Sequence, residues 1–284
     1  MARSTQPIDL ATKYRLPIGP RDLHQAVFQH IGFEAMTDAD TLALYCNDLL
    51  STDGISDYCP NGLQVAGQRP VRRLITGVTA SQALVQAAIE ADADAILVHH
   101  GYFWKGEDPR LVGIKGQRIG ALMRAGVSLL AYHLPLDVHP ELGNNRCLAD
   151  ELGIPEARPA SADGLLWRGQ LASPRPAAEL ARELAARLGR PPLHIAVVDR
   201  AVEHVAWCTG AAQRFLADAR AIGADVFISG EVSEQTWHEA HELGIDYLAA
   251  GHHATERYGV QALGSHVARH FGFEHRFIDI ENPI

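Results

Sequence analysis

Ala93-Asp94-Ala95-Ile96-Leu97-Val98-His99-His100-Gly101 is the stretch on which the fold turns. An apolar run of four residues, Ala95 to Val98, that stops at a glycine-containing break reads as a buried strand. Much later, Ala224-Asp225-Val226-Phe227-Ile228 answers Ala93-Asp94-Ala95-Ile96-Leu97. Working outward, 75–78 reads as a strand, 81–91 as a helix, 117–125 as a second helix and 127–131 as a third strand arriving at His133. The second copy of the plan has a strand at 205–208, a helix over 211–222, a strand at 224–228 and a further strand before His252. Strand, helix, strand, helix, strand, written twice with right-handed crossovers, predicts an α/β protein of two related, interlocked α/β lobes. A metal site is expected in the cleft between them, because ligands in such sheets gather at strand tips.

The expected organisation is an N-terminal extension over 1–36, a first lobe over 37–150, an insertion or linker region over 151–200 and a second lobe over 201–284. The extension mixes Pro7, Pro17, Gly19 and Pro20 with little periodicity. From Thr37 the pattern becomes regular, with Asp38 or Asp40 placed to cap a first helix. The 151–200 region carries Pro155, Pro159, Pro174 and Pro176, an Ala- and Leu-rich helix over 177–188 and a strand over 195–198.

A formal charge of −9 disfavours a broad footprint on nucleic acid or on an anionic membrane. Cys46, Cys59, Cys147 and Cys208 are scattered with no Cys-x-x-Cys pair, so neither a zinc knuckle nor a disulfide framework is signalled. Reduced thiols, no spanning stretch and no secretory signal give a cytoplasmic expectation.

Three distant segments end with metal-type donors: His99 with His100, His133 with Asp137, and His252 with Glu256. Consecutive strand residues point to opposite faces, so His99 and His100 share a centre only at a strand end or by serving two neighbouring metals. His252 and Glu256, at i and i+4 of a helix expected to reach about Phe271, share one face, and His253 points elsewhere. His133 and Asp137 have the same spacing, but Pro135 between them predicts a loop in which turn geometry places Asp137. Five ligands, His99, His100, Asp137, His252 and Glu256, are too many for one tetrahedral ion and too few for two without water. Two divalent ions with a bridging carboxylate and water therefore fit best, from among Zn, Fe, Mn, Co and Ni. Two ions (about +4), two carboxylates and a hydroxide leave roughly +1, which suits a phosphate-bearing substrate. His133 is expected beside the metals, moving protons rather than ligating. Glu231, His253 and Lys105 are further candidates for proton transfer or substrate contact.

Several look-alikes carry less. His238-Glu239-Ala240-His241 falls one residue short of a metalloprotease pair and reads as a solvated helix. His266 and His270 have helical spacing but no carboxylate, so they read as a surface pair. The chain has neither a Gly-x-x-x-x-Gly-Lys loop nor a Gly-x-Gly-x-x-Gly fingerprint.

Five strings in order, 56–65 (SDYCPNGLQV), 98–106 (VHHGYFWKG), 133–145 (HLPLDVHPELGNN), 229–231 (SGE) and 251–257 (GHHATER), closely resemble the NGG-one-interacting-factor-three-like family. Its bacterial members are often labelled GTP cyclohydrolase I type 2 homologs. The resemblance runs from about Thr37 to Ile284. It implies a dinuclear metal centre on His99, His100, Asp137, His252 and Glu256, and a toroidal homohexamer. It also implies a metal-dependent hydrolase in which metal-bound hydroxide attacks a nucleotide. Phosphoester hydrolysis and a non-enzymatic metal-binding or scaffold role are the alternatives.

Overall fold

The computed structural model describes residues 37–284; the N-terminal extension read from the sequence lies outside the described residues. The first lobe opens with α1 (Ala39–Leu49), capped by the Asp38 carboxylate, which accepts the Thr41 N–H at 2.8 Å. Then come β1 (Gly62–Val65), β2 (Arg73–Thr79), α2 (Gln82–Glu90), β3 (Ala95–His100), α3 (Gly113–Ala125), β4 (Ser128–Ala131), α4 (Leu134–Val138) and α5 (Asn144–Leu152). The chain continues through β5 (Arg158–Pro159), β6 (Trp167–Pro176), α6 (Ala177–Leu188), β7 (Leu193–Ile195), β8 (Ala201–Cys208), α7 (Leu216–Ala221), β9 (Val226–Ser229), α8 (Glu234–Leu243), β10 (Asp246–Ala249), α9 (His252–Phe271) and β11 (Glu274–Phe277).

Two sheets result, in the orders β1-β4-β3-β2-β11 and β5-β6-β8-β9-β10-β7. β2, β3 and β4 are parallel, as are β8, β9 and β10, so each lobe has the crossover core that the repeat predicts. The repeat extends to side chains. Asp94 accepts the backbone N–H groups of Arg72 and Arg73, and its counterpart Asp225 accepts those of Glu203 and His204, each pinning the start of a central strand.

Each sheet is buried on both faces, which is why its central strands read as continuous apolar runs. In the first, Leu74, Leu97 and Leu130 pack with Leu42 of α1 and Leu263 of α9, while Ile75, Ile96 and Leu129 meet Leu84 of α2 and Leu122 of α3. In the second, Trp207, Ile228 and Leu248 pack with Leu148 of α5 and Leu184 of α6, while Phe227 and Tyr247 meet Leu216 of α7 and Ala240 of α8. Burial of this order contributes about 1.5–3 kcal/mol for each large side chain.

The lobes interlock through α9. It starts at the carboxyl end of β10 in the second sheet, packs against β2 and α5, and delivers β11 to the edge of the first sheet beside β2. The residues read as an insertion contribute β5, β6 and β7, all hydrogen-bonded into the second sheet. Three local expectations need correction. Residues 133–138 are not an open loop: α4 forms with Pro135 in its first turn, where the missing N–H has no helical acceptor to satisfy. The helix expected over 211–222 is a 3-10 turn (Gln213–Phe215) followed by the shorter α7, because 209–212 is held in a loop by hydrogen bonds described below. The strand expected over 195–198 stops at Ile195, since Val197 and Val198 donate to the Asp246 carboxylate instead of to a strand. Among the described residues no helix is long and apolar enough to cross a membrane.

Candidate metal centre

The carboxyl ends of the central strands of both sheets converge, and the sequence-derived donors sit there. His99 and His100 end β3, His133 follows β4 and caps α4, Asp137 lies on α4, and His252 and Glu256 occupy the first turns of α9. His99 Nε2 is 3.5 Å from Asp137 Oδ1 and 3.6 Å from Glu256 Oε1. His100 Nε2 and His252 Nε2 lie 3.2 and 3.0 Å from Glu256 Oε2. Among the described residues the donor atoms form two overlapping triads that share Glu256, His99-Asp137-Glu256 and His100-His252-Glu256, and a third group in which His99 and His100 meet His133. His99 and His100, at the end of their strand, each reach one of the Glu256 triads and also come together beside His133. His133 stands beside them, its ring centroid 5.0 Å from that of His99.

Every imidazole is held by its other nitrogen. His99 Nδ1 bonds the Tyr132 carbonyl at 2.8 Å, His100 Nδ1 the Thr79 hydroxyl at 3.1 Å, His133 Nδ1 the Asp57 carboxylate at 2.7 Å and His252 Nδ1 the Glu231 carboxylate at 2.7 Å. Nδ1 contacts of this kind fix both tautomer and ring orientation, and they leave Nε2 for the cage. Asp137 is set the same way, by Asn144 Nδ2 at 2.9 Å and Thr209 Oγ1 at 3.3 Å. Glu231, expected as a catalytic group, is placed outside the triads as the partner of His252.

Asp57 went unnoticed in the sequence and is the most heavily bonded acid near the site. It accepts the N–H groups of Tyr58 at 2.6 Å and Leu134 at 2.9 Å, the Asn61 amide at 2.9 Å and the His133 ring. Although burial opposes ionisation, the His133 and Asn61 hydrogen bonds lower its carboxyl to about 2. The SDYCPNG string carried the signal, since Asp57 and Asn61 at i and i+4 both reach the His133 segment, whose N–H donates to Asn61 Oδ1 at 2.7 Å. A fourth cluster, Asp57-Cys59-His133, is a poor cation holder. Burial pushes the Cys59 thiol up to about 12, and the Asp57 oxygens are already committed.

The remaining candidates lie elsewhere. His253 bonds Asp279 at 2.7 Å, away from the cage, as the helical spacing requires. Lys105 is exposed, its backbone N–H on the Tyr58 carbonyl. His238 and His241 ride on α8, and His266 bonds Tyr45, which stacks on His270.

The residues fit divalent cations. His99 Nε2 and Glu256 Oε2 are buried without a hydrogen-bond partner, even though His252 Nε2 lies close to the latter. Donors that crowd together without bonding each other are aimed at a common point. Charge agrees. Burial would lower the His99 imidazole, but Asp137 and Glu256 outweigh it and hold it at about 9; His252 is likewise held at about 9, against burial, by Glu256 and Glu231. Burial drops His100 to about 4. Burial raises the Asp137 carboxyl, whereas that of Glu256 is held well below the usual range, against burial, by His100 and His99. Protons on His99 and His252 thus occupy the place that the acids reserve for positive charge.

Residues 37–283 match the family described as Duf34/NIF3 (NGG1p interacting factor 3). The chain belongs to that family. It is 57% identical over 249 residues, 87% of this chain and 98% of the relative, to the "GTP cyclohydrolase 1 type 2 homolog" of Allochromatium vinosum. It is 50% identical over 238 residues, 84% of this chain and 96% of the relative, to the Escherichia coli K12 protein of the same name. Among solved structures, the one titled "Structural genomics, protein ybgI, unknown function" matches with a TM-score of 0.84 at 48% identity, over 87% of this chain and all of that one. A Thermus thermophilus protein matches at 0.79 and 36% identity with the same coverage. These likenesses span the two lobes and the segments that carry the cage.

Proposed function

We propose that this Duf34/NIF3 protein is a dinuclear metal-dependent hydrolase, GTP cyclohydrolase type 2-like, acting on a phosphate-bearing nucleotide. One observation carries the reading: two triads of donor atoms share the buried Glu256, and every imidazole has its Nδ1 anchored elsewhere. His99 and Asp137 would hold one divalent ion, His100 and His252 a second, and Glu256 both; Zn, Fe, Mn, Co and Ni all suit these donors. When bound, such a pair supplies Lewis acidity and lowers the pKa of water at the site.

The chain's own groups do the rest. His133, with Nδ1 tied to Asp57 and its ring beside those of His99 and His100, would accept a proton from the attacking water and pass it to the leaving group. Glu231 holds His252 in register, and Asn144 and Thr209 hold Asp137. The buried Asp137, Glu256 and His99 keep bulk water from one side of the cage. A cytoplasmic toroidal homohexamer is the assembly that accompanies this reading; light scattering would give a mass six times 30.9 kDa.

Metal-loaded protein incubated with GTP should release formate, and Glu256→Gln should abolish the release. Phosphate release without formate would move the reading to a phosphoesterase. Release of neither, across the five metals, would leave a non-enzymatic metal-binding protein.

A further inference from the structure

A cavity of about 240 Å³ opens beside the cage, and Asp137, Glu256, His133 and His252 form part of its wall. Tyr58 and Arg214 also line it. Arg214 is the one permanent cation among the lining residues. It makes no ion pair with any described acid, and its guanidinium lies over the Phe215 ring, 4.5 Å from the centroid. Stacking on a buried ring limits the rotamers of a long side chain while leaving the N–H edges available. Burial and then Asp137 push the Cys208 thiol well up, and Arg214 opposes them.

The loop that carries Arg214 is tied to the cage. Thr209 donates its N–H to Asn145 and its hydroxyl to Asp137, Gly210 donates to Thr255, and Ala212 donates to Ser229 Oγ. Those bonds replace the start of the helix expected over 211–222 and bring the exposed Arg214, in the 3-10 turn that follows, to the rim of the cavity. Fork-shaped guanidinium donors match the paired oxygens of a phosphoryl or carboxylate group. The cavity is smaller than the roughly 300–1,000 Å³ of a site that encloses a whole drug-sized ligand. It has room for the reacting group and one substituent, with the remainder passing over the exposed Tyr58.

We propose that Arg214 is a specificity-determining residue that binds an oxyanion of the substrate next to the metal cage, so that this site selects small molecules bearing a phosphoryl or carboxylate group. The inference rests on the hydrolase reading for the word substrate, but not for the binding itself. The test is calorimetric titration of metal-loaded protein with inorganic phosphate and, separately, acetate, for the parent chain, Arg214→Gln and Arg214→Lys, with metal content measured on each sample. The parent should bind phosphate, Arg214→Gln should weaken it at least tenfold, and Arg214→Lys should fall between, all with the parent's metal content. The acetate arm shows whether carboxylates share the site. Equal phosphate affinity in the parent and Arg214→Gln, or no phosphate binding by the parent, overturns the proposal. An Arg214-dependent affinity in protein that takes up no metal supports the anchor while sinking the hydrolase reading.

Discussion

Gly210→Ala should damage the cage although Gly210 contributes no donor to it. Gly210 has φ +69, and a Cβ there would sit 2.1 Å from Glu256 Oε1 and 3.2 Å from His252 Nε2. The loop cannot easily retreat: the Gly210 carbonyl accepts from Gly230 N at 2.8 Å and Ala212 N at 3.0 Å, and its N–H donates to Thr255 Oγ1 at 3.1 Å. Glu256 must swing instead, and both triads lose their common member. The left-handed backbone costs alanine about 1 kcal/mol, and forcing a methyl into a filled site adds roughly 1–3 kcal/mol. The expected loss is about 2–4 kcal/mol, or a Tm lower by about 5–15 °C at 2–4 °C per kcal/mol. Gly153→Ala is the control, because Gly153 has the same φ of +69 with nothing near its Cβ, so it registers backbone strain alone at about 1 kcal/mol. Thermal and urea unfolding of both variants, with metal content by elemental analysis, completes the assay. A Gly210→Ala protein as stable as Gly153→Ala and fully metallated would refute the packing argument.

Glu231→Gln keeps a hydrogen-bonding group near His252 but removes the charge, so metal affinity should fall about 10–100-fold with little change in fold; competition with a chromophoric chelator measures it, and unchanged affinity would show that Glu231 does not position His252. Asp57→Asn should cost about 2 kcal/mol at pH 7, since a carboxyl lowered from 3.8 to about 2 contributes about 1.4 kcal/mol per unit. The sign follows from a depressed folded value: the contribution is present above pH 4 and is lost as pH falls through about 2. Urea unfolding at pH 7 and pH 3 should show the gap between parent and variant shrinking to roughly half, and a gap independent of pH would contradict the assignment.

Much of the cage was legible because its donors sit where the apolar pattern stops. His99-His100 ends the run Ala95 to Val98, and Gly251-His252-His253 starts a helix in which i, i+4 geometry pairs His252 with Glu256. Asp137 was legible as a donor but not in its placement, because a proline between His133 and Asp137 argues for a loop unless it falls in a helix's first turn. Asp57 and Arg214 escaped for a different reason. Their roles depend on loops that fold back to a distant strand end, 76 residues on in the case of Asp57 and His133, and no local periodicity encodes that. The crossing of α9 from one lobe to the other was hidden likewise. Its sequence states an amphipathic helix, but which sheet that helix covers is decided by packing against Leu74 and Leu97.

On the proposed reading two cations share Glu256. Diffraction data collected on either side of the absorption edge of a loaded metal, zinc or manganese, test it directly. Two anomalous peaks per chain are expected, one within about 2.0–2.3 Å of donors from His99 and Asp137, the other of His100 and His252, with Glu256 reaching both. A single peak, peaks at Asp57 and Cys59 or at His266 and His270, or none after loading would contradict it.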